Sequence, residues 1–195
     1  MALASCLAFA AANAEEPAAP AAPAPAPTVK AGMKRAVLVG TSFGLAKALG
    51  SGETQKAGGS GPGLGVFASY SVTDAWSVGA AYDYLNFKQS LRASVTSAEA
   101  VYTALPKKRW SPTATAGVGF AKVSGFPPAD HDITKIAYKV GSGLRWALDD
   151  AVLFDIYLNY HFIRIAGDSN DINALGYGVT AIYRFAPSPS PSPSP

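Results

Sequence analysis

Cysteine is almost absent from this sequence, and charged residues and long apolar runs are scarce. The chain has 195 residues, one cysteine and a charged share of 15%, against about 25% in a typical soluble domain. Outside the alanine-rich start, no stretch reaches the roughly 18 consecutive apolar residues of a membrane-spanning helix. No basic cluster is interleaved with aromatic residues, so nucleic acid is not an expected partner. Because 49% of the residues are still hydrophobic, the apolar content is typical of alternating β-strands.

The first 14 residues predict a secretion signal. Residues 3–12 are mostly small and apolar, and "ANA" at 12–14 fits an A-x-A cleavage site. Removal of this segment would also remove Cys6. Disulfides, cysteine catalysis and cysteine metal sites are therefore not expected in the mature chain.

Low-complexity segments flank the body of the chain. Residues 15–33 predict a Pro/Ala-rich spacer, and residues 186–195 predict a Pro/Ser-rich tail. Such compositions favour extended, polyproline-like chain without a core. The folded domain is therefore expected at residues 34–185.

Eight alternating segments fill that domain, and Gly, Pro, Asp and Asn separate them. The second, fourth and sixth gaps are short, whereas the odd-numbered gaps are longer and polar. An even number of strands with short turns at one end and long loops at the other is the plan of a membrane β-barrel. The predicted fold class is thus all-β, an eight-stranded antiparallel up-and-down transmembrane β-barrel. The segments lie near residues 35–45, 63–72, 76–87, 97–105, 110–123, 135–148, 152–165 and 173–185.

Aromatic residues gather at the short-turn end, which is typical of an interfacial girdle. Trp76 and Trp110 directly follow short turns, Trp146 precedes one, and Tyr183 and Phe185 finish the last segment. The alternative is a soluble β-sandwich with these aromatics in its core. Sandwich cores do not concentrate tryptophan beside one set of turns, so the girdle is the favoured interpretation.

The polar residues of the segments predict the lining of the barrel lumen. If apolar side chains face lipid, the other parity points inward, and eight strands leave a lumen that side chains can fill. A three-residue turn at 149–151 sets the register, so that Arg145 faces Asp155 and Lys139 faces His161. Charges in a dry lumen are expected to be paired. The predicted lumen network is Asp83, Lys139, Arg145, Asp155, Asn159, His161 and Arg184.

One segment leaves its phase open. In "AEAVYTALP", placing Val101, Thr103 and Leu105 outward would put Glu99 against lipid. The opposite phase turns Glu99 inward and Tyr102 outward. The cost of a charge facing lipid favours an inward Glu99 or a bulge.

These motifs resemble a known family. The segment at 111–123, the hairpin at 138–162 and the closing "GYGVTAIYRF" look like the outer membrane protein β-barrel domains. That group includes the membrane domain of outer membrane protein A, the OmpW and OmpX types, and α-proteobacterial surface antigens. The resemblance implies a cell outer-membrane location with both termini periplasmic. It also implies a terminal signal at Phe185 that the barrel-assembly machinery reads.

The resemblance also implies partners and a role. Outer-membrane lipid and lipopolysaccharide would surround the barrel, and the tail raises the alternatives of peptidoglycan or a downstream domain as a further partner. The predicted role is structural or surface-related, of the envelope-integrity or adhesion type, with a side-chain-filled lumen. The alternative is a small channel or a lateral-diffusion transporter for small or apolar solutes.

A lipid-modifying enzyme is the remote alternative. The histidines are His131, in a polar gap, and His161. Lipid A deacylases are eight-stranded barrels in which a serine follows the histidine by two residues, and here that position is Ile163. The sequence therefore predicts no enzyme, and no catalytic, cofactor-binding or metal-binding residues.

Overall fold

The chain folds as a closed eight-stranded β-barrel. The computed structural model describes residues 34–49, 59–87, 91–125, 133–164 and 172–185, so the predicted signal, both spacers and His131 lie outside the described residues. No helix in the described part of the chain is long and apolar enough to cross a membrane. The strands are β1 (Val37–Leu49), β2 (Ser60–Ser71), β3 (Trp76–Asn86), β4 (Arg92–Thr103), β5 (Trp110–Ser124), β6 (Ile133–Ala147), β7 (Val152–Ile163) and β8 (Ile172–Phe185).

Each strand pairs antiparallel with the next one along the chain, and β8 pairs with β1 to close the ring. The predicted fold class is therefore confirmed. Following paired residues once round the barrel from Val37 leads back to β1 at Lys47, ten residues further along. This stagger requires tilted strands, at about 35–45° to the barrel axis.

The two-residue side-chain period sorts the strands into an inner and an outer face. On β5, the outward residues from Trp110 to Phe120 are exposed and apolar, while the alternate positions turn inward. Phe43 is 67% exposed and Phe120 63% exposed. An outer face this apolar suits the hydrocarbon of a bilayer and would be unfavourable in water.

β4 differs most from the segment that the sequence predicted. It begins at Arg92, whereas alternation indicated a start near residue 97, because Ser94 and Thr96 face outward there and hide the apolar period. The pairing of β4 with both neighbours continues without a bulge. Glu99 therefore points inward and Tyr102 outward, which resolves the phase that the sequence left open.

The turn between β6 and β7 is fixed by its own acidic residues. The carboxylate of Asp149 accepts hydrogen bonds from the backbone N–H groups of Ala151 and Val152, both at 2.7 Å. These hydrogen bonds lower the pKa of Asp149 from its usual value. Arg184 of β8 donates from Nε to the carbonyl oxygen of Asp150 at 2.5 Å. The turn is thereby attached to β8, beside the pairing of β8 with β1 that closes the barrel.

Two inward glycines differ in the room around them. A Cβ added to Gly119 would overlap the carbonyl oxygen of Thr96 on β4, which is backbone and cannot rotate away. A Cβ added to Gly176 would have its nearest heavy atom at 3.8 Å. Only the first position therefore needs glycine for the strands to approach as closely as they do.

We expect Gly119→Ala to lower the free energy of unfolding by about 1–3 kcal/mol, the usual cost of overpacking. Gly176→Ala should be close to neutral, because the added methyl meets only ordinary contacts. Reversible urea unfolding in lipid vesicles measures both. Equal losses in the two variants would contradict the close approach at Gly119.

Candidate functional site in the barrel interior

The interior consists of three layers. At the short-turn end, Leu38, Ala147, Leu153 and Ile182 form an apolar cluster, against which Phe67 packs. Polar and charged side chains occupy the middle, and buried polar residues such as Ser71, Thr103 and Ser111 also face inward at the short-turn end, beside this cluster. A second apolar cluster closes the loop end, and its members are Ala46, Ala48, Leu85, Phe87, Leu91, Ala93, Val95, Ala121, Val123, Ala137, Ile163, Ile172 and Ala174.

Lys139 is the centre of the polar layer. Its ammonium nitrogen lies 2.9 Å from Oδ2 of Asp83 and 2.8 Å from Oε1 of Glu99. Ser97 donates a hydrogen bond to the same Oε1 of Glu99 at 2.8 Å. These contacts join β6 to β3 and β4 across the lumen. A buried ammonium is stable only when such partners offset its lost hydration.

Arg145 and Asp155 form a second ion pair nearer the short turns. They stand opposite each other on β6 and β7, in the register that the three-residue turn predicts. Arg145 donates from Nε to Oδ1 at 2.9 Å and from Nη2 to Oδ2 at 2.8 Å. Its Nη1 lies 3.3 Å from the hydroxyl of Thr103 on β4. The two-pronged geometry is the strong form of a charge-assisted hydrogen bond.

His161 lies deep in the loop-end half of the interior and is 2% exposed. It faces Lys139 in register, yet Lys139 directs its ammonium to the two carboxylates. The His161 Nδ1 atom has no hydrogen-bond partner among the described residues. A cavity of about 10 Å³ borders His161, Asp83 and Asn159, which is the space of about one water molecule.

The larger cavity lies in the middle of the polar layer. It measures about 70 Å³, and its lining includes Ser42, Asp83, Lys139, Arg145 and Tyr157. This volume and its polar wall suit a few water molecules. Tyr157 and Ser42 both border this cavity, so β7 and β1 both contribute to its wall.

The predicted girdle residues all lie on the outer face at the short-turn end. Trp110 and Trp146 stack with ring centroids 5.6 Å apart, and Tyr183 meets Phe185 edge-on at 4.6 Å. Trp76 packs against Tyr102 at 5.0 Å, which brings a residue into the band that the sequence analysis did not include.

Of the predicted lumen residues, the structure brings Asp83 and Lys139 together in one group and Arg145 and Asp155 in another. Arg184 lies apart, where its Nη2 is 3.6 Å from a carboxylate oxygen of Asp150. The prediction omitted Glu99, although an inward phase for β4 would have placed it in the lumen. The two apolar layers were not predicted either, because the sequence interpretation assigned the lumen mainly to polar side chains and glycines.

Within the described residues, the layer contains no group of three or more metal-ligating side chains. Ile163 follows His161 on the inner face and is fully buried, so His161 has no serine partner two residues on. The polar layer is built from ion pairs and hydroxyl groups that link strands across the lumen.

The comparisons with known proteins agree on one architecture. The family model described as outer membrane protein beta-barrel domain matches residues 2–185. No curated protein matches the sequence significantly. Neisserial surface protein A resembles the structure with a TM-score of 0.63 and 18% identity, over 77% of this chain and 99% of that chain.

Two barrels from Pseudomonas aeruginosa are also similar. The N-terminal β-barrel domain of OprF matches with a TM-score of 0.57 and 15% identity, over 78% of this chain and 98% of that one. OprG matches with a TM-score of 0.53 and 13% identity, over 80% of this chain and 98% of that one. At these identities the likeness shows the fold alone.

The Arg145–Asp155 pair should behave as a coupled unit. Arg145→Met and Asp155→Leu are each expected to lower the free energy of unfolding by about 3–5 kcal/mol, since each leaves the partner charge buried and unpaired. The double variant should lose less free energy of unfolding than the sum of the losses in the two single variants. A double-mutant cycle by urea unfolding in vesicles measures the coupling, and additive effects would show that the pair does not couple.

Removing the charge of Lys139 should lower the free energy of unfolding more than neutralising either of its carboxylate partners. Lys139→Met leaves two buried carboxylates together, so we expect a loss of about 3–5 kcal/mol in unfolding free energy. Glu99→Gln should cost less, because Asp83 still pairs with Lys139. Lys47→Met, the same substitution on an exposed site of the outer face, serves as the control and should change stability by less than about 0.5 kcal/mol. Equal losses at Lys139 and Lys47 would contradict the buried cluster.

Proposed function

This chain belongs to the family of outer membrane protein beta-barrel domains, and from that premise we propose that it is a structural and surface barrel with a side-chain-filled lumen. Family membership implies a location in the outer membrane. The role is envelope integrity or attachment at the cell surface, performed by a rigid barrel that presents loops. No catalytic step is part of it.

The layered interior is the observation that carries the proposal. Solute would have to displace the loop-end apolar cluster, the ion pairs of Lys139 and Arg145, and the short-turn cluster in turn. Breaking a buried ion pair without replacing its contacts is costly. A conducting pore of this family would instead need a continuous polar path.

The proposed orientation puts the short turns in the periplasm and the longer gaps outside the cell, as in bacterial barrels of this type. Both termini of the barrel then face the periplasm. There the Pro/Ser tail is available to peptidoglycan or to a downstream domain, and Phe185 to the barrel-assembly machinery. Outer-membrane lipid and lipopolysaccharide surround the apolar outer face.

Lateral transport of small apolar solutes is the second candidate. The apolar loop-end layer favours it, because such a surface would accept an apolar molecule that entered from the loops. Uptake of a fluorescent apolar dye into vesicles that contain the protein separates the two roles. If the barrel is structural, vesicles that contain the protein should take up the dye at the same rate as empty vesicles.

In planar bilayers, we expect the protein to show at most small and infrequent currents. Phe67→Ala with Leu153→Ala opens space in the short-turn layer, and Leu85→Ala with Leu91→Ala opens space in the loop-end layer. Either pair alone should leave conduction low, because the other layer still closes the lumen. All four substitutions together should raise the frequency of openings several-fold.

The control carries four truncations on the outer face and should conduct like the unaltered protein. Heat-modifiable migration on gels verifies that every variant is folded. Steady, porin-sized currents from the unaltered protein would contradict the filled lumen. The control substitutions are Leu45→Ala, Leu64→Ala, Ile156→Ala and Leu158→Ala.

A further inference from the structure

The charges of the polar layer do not balance. Arg145 is matched by one carboxylate, that of Asp155, whereas Lys139 contacts two, those of Asp83 and Glu99. Between the two apolar clusters, the inward side chains of the described strands therefore provide three carboxylates and only two cations. The layer has an excess of one negative charge.

The two other inward cations of the described strands lie outside the layer. Arg184 is on the short-turn side of Ile182, where it contacts the carboxylate of Asp150. Lys135 is on the loop side of Ala137, a member of the loop-end cluster. Apolar side chains thus separate both cations from the excess charge. Buried charges are normally paired or bind a metal ion, because an unbalanced charge away from water is costly.

One oxygen of Asp83 is directed to a specific space beside Ser42. Lys139 contacts Oδ2, and within the described strands Oδ1 accepts no hydrogen bond, although Asp83 is only 9% exposed. Oδ1 of Asp83 and Oγ of Ser42 both lie within 2.7 Å of the position that a Cβ on Gly65 would take. A buried carboxylate oxygen and a hydroxyl oxygen therefore converge where residue 65 has no side chain.

The cavity of about 70 Å³ provides further oxygen atoms around this point. Asp83, Ser42 and Glu99 line it, together with other side chains that contain oxygen, namely Thr113, Thr115, Ser142, Tyr157, Asn159 and Thr180. Hard cations take carboxylate, hydroxyl, carbonyl and water oxygens as ligands. The volume accommodates a small ion with a few water molecules.

We propose that the polar layer binds one alkali-metal cation between Oδ1 of Asp83 and Oγ of Ser42, with water in the cavity completing its ligand shell. A monovalent ion makes the layer neutral. A divalent ion would instead leave an excess positive charge beside the ammonium group of Lys139, and the two would repel. The cation is a structural ligand, since it allows both carboxylate partners of Lys139 to remain charged in the closed lumen.

The experiment measures urea unfolding of the full-length protein in phosphatidylcholine vesicles, which have no net charge. Sodium, potassium, calcium and choline chloride are compared at equal ionic strength. Choline is the reference, because its methyl groups keep oxygen ligands away from its charge. At a sodium concentration about ten times the dissociation constant, the equilibrium constant for unfolding should be about ten-fold lower than in choline. Equilibrium dialysis with radioactive sodium should find one ion per folded barrel.

Two variants test the charge and the space separately. Glu99→Gln removes the excess charge and keeps the contact between Lys139 and Asp83, whereas Gly65→Ala keeps the charge and fills the space between the two oxygens. In both, the unfolding constants in sodium and choline should become nearly equal. The ratio is taken within each variant, so a change in overall stability does not affect it.

The matched control is Asp74→Asn, which removes one carboxylate from the short turn between β2 and β3, outside the layer. It should keep the ten-fold ratio, and heat-modifiable migration verifies that each variant is folded. Equal unfolding constants of the unaltered protein in all four salts would overturn the proposal. So would a ten-fold ratio that persists in Glu99→Gln, a ratio lost in the control, or stronger stabilisation by calcium than by sodium.

Discussion

Closure of eight staggered strands fixes how much side-chain volume the interior holds, and the rest of the structure follows from that limit. The lumen is too narrow for bulk water and too wide to be empty, so inward side chains must fill it. At Gly119, where an added Cβ would overlap the backbone of the neighbouring strand, only glycine fits. Where space remains, long polar side chains cross it, and each needs a partner because little water is present.

Much of the architecture could be predicted from the sequence, because it depends on a two-residue period and on turn length. All eight strands, the closure and the register of β6 against β7 follow from these features. The start of β4 could not be located in this way, since Ser94 and Thr96 present small polar groups on the outer face. The alternation of apolar and polar residues then weakens, even though the strand continues.

The interior was harder to predict than the strands. Parity places Lys139, Asp83 and Arg145 in the lumen, but it gives no distance between residues on strands that are not adjacent. The contacts of Lys139 with Asp83 and Glu99 cross the lumen from β6 to β3 and β4, and such pairs depend on the radius and stagger of the closed ring. The apolar layers were missed for a related reason: near the strand ends both parities are apolar, as Phe162 and Ile163 illustrate.

The ion pairs of Lys139 with Asp83 and Glu99 affect the order in which the barrel is completed. A partial sheet of β5 to β8 would contain Lys139 without either of its carboxylates, and a sheet of β1 to β4 would contain Asp83 and Glu99 without their cation. Neither half can be dry and electrically balanced inside until both are joined. Incomplete sheets are thus destabilised by their unpaired buried charges. Most of the stabilisation from the ion pairs of Lys139 is gained only when the barrel closes. The ion cluster therefore makes assembly cooperative, so that half-built barrels do not persist as stable products.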